Sequence, residues 1–112
     1  MNTFTYHITF PAEAMERYPK NRTETTCDAD KHMDGLLDAF DRIEVGAKYA
    51  HPGPKPYGTG GGWYSLEVIL DEYKPLDIQV VNIAGVRDRF IKRVTRLHGK
   101  PVVLKITEPL NT

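Results

Sequence analysis

The 112-residue sequence predicts an α+β fold: a four-stranded antiparallel sheet carrying two helices on one of its faces. Three observations lead there. Apolar and polar residues alternate in four short segments, the mark of half-buried strands. In two other segments the apolar period lengthens to about 3.6, the mark of helices with one buried stripe. The order is strand, helix, strand, strand, helix, strand, and the economical way to bury both helical stripes is against a single sheet face.

Taken in order, Phe4, Tyr6, Ile8 and Phe10 alternate with Thr3, Thr5, His7 and Thr9, which gives the first strand. Pro11 stops it and can open a short helix over PAEAMERY, which Pro19 ends in turn. Residues 11 to 27 form a long connection whose Thr-rich end reads as a short edge strand. From Asp28 to Ile43, Met33, Leu36, Leu37, Phe40 and Ile43 make a narrow apolar stripe, and Asp28 or Asp30 is placed to cap the helix. Gly35 inside it lowers helix propensity by up to about 1 kcal/mol relative to Ala.

A second strand runs from about Glu44 to Ala50, with Val45, Ala47 and Tyr49 on one face. The Gly/Pro-rich loop, residues 51 to 62, leaves no room for regular structure. In the third strand Tyr64, Leu66, Val68 and Leu70 oppose Trp63, Ser65, Glu67 and Ile69. After a turn at DEYKPL comes the longest periodic segment, Asp77 to His98. It predicts Val80, Ile83, Ala84, Val86, Phe90, Ile91, Val94 and Leu97 inward, and Arg89, Lys92, Arg93 and Arg96 together outside. Gly99 and Pro101 end it. A fourth strand from Val102 to Glu108 directs Val102, Leu104 and Ile106 inward. This βαββαβ order, with the first and third strands central, is the ferredoxin-like arrangement, expected to occupy residues 1 to 112 as a single domain.

Composition narrows the function by exclusion. Hydrophobic residues are 40% and charged residues 27%, ordinary for a globular chain. Fifteen basic and fifteen acidic residues cancel, so no global field draws in nucleic acid or a membrane surface. No apolar run approaches the ~20 residues of a membrane span, and the N-terminus lacks a secretion-signal layout. A lone Cys27 cannot form an internal disulfide, which suits a reducing compartment. These features predict a soluble, cytoplasmic protein.

Four sites compete. The open sheet face gathers His7 and Glu67, weak acid-base candidates because a carboxylate beside an imidazole can orient it and shift its pKa. Against that stands the ordinary reading of a solvated sheet face, or one covered by a second copy through Trp63, Ile69 and Val103. The Gly/Pro loop offers Lys55 and Tyr57, with Trp63 at its end, as binding residues. Its GTGGGW passes into a strand, whereas phosphate loops pass into a helix N-terminus. Cys27, Asp28, Asp30 and His32 carry metal-capable atoms, but a helical start spreads them around its axis and no second Cys or His pair supports a zinc site. No metal and no cofactor is expected. The most coherent polar feature is the basic strip of Arg89, Lys92, Arg93 and Arg96, which suits an acidic partner if it is more than a solvated face.

The leading expectation is a non-enzymatic interaction module, such as a regulator, inhibitor or accessory subunit. It would act through the basic helix or the open sheet, as a homodimer or with an acidic protein partner. One alternative is a small-molecule binder or small enzyme with its pocket between the open sheet and the Gly/Pro loop. Another is nucleic-acid binding through the basic helix, which the lack of a closely spaced aromatic pair on the sheet disfavours.

Overall fold

The computed structural model describes residues 2–15, 18–19, 25–50 and 62–108. Four strands form the main sheet: β1 (Asn2–Phe10), β4 (Gly46–Ala50), β5 (Gly62–Leu70) and β6 (Val103–Glu108). Their order is β4-β5-β1-β6 and every pairing is antiparallel. The first and third long strands therefore pair at the centre, with Phe4 opposite Val68 and Ile8 opposite Tyr64.

Period-two alternation does the rest. Tyr6, Ile8 and Phe10 of β1 and Tyr64, Leu66, Val68 and Leu70 of β5 all turn to one face and are buried there. Onto that face pack α2 (Asp28–Arg42), through Met33, Leu36 and Phe40, and α3 (Leu76–His98), through Ile83, Val86, Phe90 and Val94. Each such side chain contributes roughly 1.5–3 kcal/mol by leaving water. Cys27, Val45 and Val102, each beside an element end, join the same core. No helix among the described residues is long and apolar enough to cross a membrane.

The ends of α2 and α3 follow local chemistry. Gly99 adopts a left-handed φ of 73°, which glycine reaches without steric cost, and its N–H donates to the Thr95 carbonyl at 2.8 Å. After α2, Glu44 takes a φ of 60° while its N–H donates to the Asp41 carbonyl at 3.0 Å. Its carboxylate receives Lys74 Nζ at 2.7 Å, tying the turn before β4 to the turn before α3.

Several expectations need correction. The short helix expected after Pro11 forms as α1 (Ala12–Met15) and adds Ala14 and Met15 to the core, so three helices, not two, accompany the sheet among the described residues. The Thr-rich strand exists as β3 (Thr25–Thr26), but it pairs with β2 (Tyr18–Pro19) in a separate ribbon and not with the main sheet. Neither Asp28 nor Asp30 caps α2: Cys27 occupies the N-cap and makes no side-chain cap hydrogen bond, while both aspartates lie in the first turn. Val80 and Leu97, expected inward, are exposed. Val80 sits about 100° around the axis from the buried Gln79, at the margin of the inward stripe, and Leu97 lies in the last turn of the 23-residue α3. The inward position at the start of α3 belongs instead to Gln79. Ile106 is 58% exposed because β6 is an edge strand and its register shifts at Thr5 and Tyr6.

Candidate interaction face and histidine cleft

The basic strip is real as a surface. Arg89, Lys92 and Arg96 are exposed on α3, while Arg93 is half-buried with its guanidinium 5.9 Å from the centroid of the Phe90 ring. That arrangement is a cation-π contact, which holds Arg93 against the core edge. Four other surface cations are neutralised within the chain, while Arg42 and Lys105 stand singly and exposed. Lys48 reaches Glu67 at 3.3 Å, Lys74 reaches Glu44 at 2.7 Å, Arg87 reaches Asp88 at 3.1 Å and Lys100 reaches Glu13 at 2.7 Å. Among the described residues no acidic side chain pairs with Arg89, Lys92 or Arg96. Exposed ion pairs contribute only about 0–1 kcal/mol each, so the contrast matters for recognition and little for stability.

On the open sheet face, His7 lies opposite Ser65 in the register and its ring sits 4.3 Å from that of Trp63, centroid to centroid. Glu67 lies opposite Thr5, and its carboxylate is engaged by Lys48. The two proposed acid-base residues thus occupy one face with different partners. Thr5, Lys48, Tyr49, Ser65 and Glu67 line a shallow depression of about 260 Å³ there. Trp63, near the start of β5, is 39% exposed. Lys55 and Tyr57 lie outside the described residues, as does the Gly/Pro loop from 51 to 61.

A cluster that sequence reasoning missed joins α2 to α3. His32 Nε2 and His98 Nε2 are 2.9 Å apart across 66 residues of sequence. Their ring centroids are 5.1 Å apart with the planes at 90°. That separation is nearly the N···N distance plus both ring radii, so the rings meet end on, in a hydrogen bond whose donor is set by the tautomers. Asp28, Lys31 and Leu97 complete a cleft of about 350 Å³ around them. Burial and then the charge of His98 hold His32 below the ordinary imidazole pKa, with Asp28 opposing and Arg93 adding to the fall. Phe10 stacks on His32 with centroids 6.1 Å apart. The signal lay in topology: α2 begins and α3 ends at the Phe10 end of β1, so histidines near those helix ends can meet.

One turn further, aspartates of α2 receive tyrosines from the sheet. Tyr64 Oη donates to Asp30 at 2.5 Å and Tyr49 Oη to Asp34 at 2.8 Å. Burial, then the bond to Asp34, pushes the Tyr49 phenol up to about 12, and burial, then the bond to Asp30, raises Tyr64. Both phenols therefore stay protonated and act as donors to carboxylates, with no basic oxygen to offer a substrate. Cys27 Sγ lies 3.8 Å from Tyr64 Oη in the same buried corner. Among the described residues no group of three or more His, Cys, Asp or Glu side chains is arranged to hold a metal ion.

The outer side of α3 thus presents Arg89, Lys92 and Arg96 together to solvent. No family model, no curated protein and no solved structure matches this chain.

Proposed function

We propose that the chain is a small interaction protein, a regulator, inhibitor or accessory subunit without a catalytic task, whose α3 face receives an acidic surface of another protein. The observation that carries this reading is the grouping on one face of one helix of three exposed cations, Arg89, Lys92 and Arg96, with no acidic partner among the described residues, whereas the other unpaired described cations, Arg42 and Lys105, stand singly on other elements. Guanidinium groups already arranged on a helix lose less entropy on binding than groups on a loop that must first be ordered. The cytoplasm is the compartment that suits a buried lone cysteine. For the architecture, the central place of β1 and β5 supports a ferredoxin-like sandwich, with α1 and the β2-β3 ribbon as additions between the first strand and the first long helix.

The test compares three proteins as bait in lysate of the source cell: the parent, Arg89→Glu/Lys92→Glu/Arg96→Glu, and a chain trimmed of residues 53 to 61. Candidates are then purified and their binding measured directly. The reading expects an acidic protein that binds the parent and the trimmed chain and loses at least tenfold affinity for the charge-reversed one. A protein partner bound equally by parent and charge-reversed chains, and lost on trimming, refutes it. Capture of nucleic acid alone, with steep salt dependence, also refutes it and favours the polyanion alternative.

A further inference from the structure

The basic strip does not stop where the cations stop. Counting 100° per residue, Ile78, Val81, Gly85, Arg89, Lys92 and Arg96 fall within about a quarter of the α3 circumference, away from the buried side. Ile78 and Val81 are 56% and 69% exposed, large apolar side chains facing water on the same helix that buries Ile83 and Val86. The stripe spans about 27 Å at the helical rise. Its N-terminal half is apolar and its C-terminal half cationic. Arg89 stands at the junction, its guanidinium folded back against Gly85, so close that a Cβ there would lie 3.3 Å from it.

Resting on the reading of α3 as an acidic-partner face, we propose that the partner element is an amphipathic helix of about five turns, apolar over one half of its contact stripe and acidic over the other. Its acidic half lies on Arg89, Lys92 and Arg96, and its apolar half covers Ile78 and Val81. Charge fixes the direction. Asp77 is exposed beside the apolar half, so acidic residues placed at that end would meet a like charge, whereas at the other end they meet cations. An apolar stripe segment of a helix laid on another helix is the recognised way to cover such a patch, read through anchors at i, i+3 or i+4, and i+7.

Two helix-forming peptides of identical composition serve as probes, read by fluorescence anisotropy at low salt. In the segregated peptide the stripe positions are leucine in one half and glutamate in the other. In the interspersed peptide the same residues alternate along the stripe. The parent should bind the segregated peptide about tenfold more tightly. Ile78→Gln/Val81→Gln should erase that preference while still binding the interspersed peptide. These positions are exposed and Gln is a good helix former, and an unchanged circular dichroism spectrum and melting point verify the fold. Equal binding of the two peptides by the parent, or a preference that survives in the Gln variant, overturns the inference and leaves the acidic-partner reading standing. An Arg89→Glu/Arg96→Glu chain that binds both peptides as well as the parent does brings down the reading itself, and the inference with it. Failure of either peptide to bind the parent at about 1 mM overturns the inference too.

Discussion

Among the described residues, Gln79 is the polar side chain buried in the apolar core, 4% exposed at the start of α3. Its Oε1 accepts the Asp71 N–H at 2.9 Å. Its Nε2 donates to the carbonyls of Asp71 at 2.9 Å and Lys74 at 3.2 Å. One side chain thus satisfies the turn that leaves β5 and sets the angle at which α3 departs. Replacing it with Leu keeps the volume and removes every one of these bonds. Losing the bonds to both backbone groups of Asp71 costs about 1 kcal/mol each, and the groups left orphaned add 1–3 kcal/mol where water cannot reach them. Leu returns part of this through apolar burial. The expected loss for Gln79→Leu is about 2–3 kcal/mol, a fall of roughly 10 °C in melting temperature for a chain of this size. Gln79→Glu should be worse near neutral pH, since a carboxylate faces carbonyl oxygens, and should recover in part as the pH falls. Urea and thermal unfolding read both variants. A Gln79→Leu chain within about 0.5 kcal/mol of the parent would refute the claim that this amide braces the turn.

The His32–His98 pair predicts a pH dependence whose sign is fixed. Because folding holds His32 below its unfolded pKa of about 6.5, the unfolded chain binds more protons, and stability is lost as the pH falls through that value. The slope from this one group cannot exceed about 1.4 kcal/mol per pH unit, and partial exposure reduces it. Urea unfolding between pH 5 and 8 should show a flatter profile for His32→Gln, and an identical profile would sink the assignment. Trp63, Ile69 and Val103 on the uncovered sheet face predict self-association there at micromolar concentration. Light scattering that returns the 12.7 kDa of one chain, unaltered by Trp63→Glu, counts against it.

Most of the sheet and both long helices could be read from periodicity, because alternation over eight or nine residues and a stripe over fifteen or more leave little ambiguity. Gly99 announced the end of α3 for a reason that is purely local, the need for a left-handed residue. The errors lie where a pattern outruns its support. Val80 falls at the margin of the helical stripe and Leu97 in the last turn of α3, where the period continues past the part of the helix that packs on the sheet. Ile106 keeps the strand period yet lies on an edge. Gln79 was passed over because a polar residue on an inward face looks like noise until its backbone partners are known. The histidine cleft needed tertiary placement, since nothing about His32 alone points to His98. The acid-base idea on the sheet was limited by register: a shift of two residues separates the partner of His7 from Glu67, and Lys48 already holds that carboxylate.

The position of Cys27 has a practical consequence. It is the one thiol in the chain, fully buried at the residue that precedes α2 and set against Tyr64. A thiol reagent cannot reach it until the first turn of α2 lifts from β5, so its labelling rate under native conditions reports how often that corner opens. Because the histidine pair ties the same helix start to the end of α3, weakening that tie with His98→Gln should register at the sulfur as faster modification when both chains are compared at one pH, since the thiolate is the reacting form. The molecule thereby carries its own clock for the loosening of one helix, readable without adding a label to its surface.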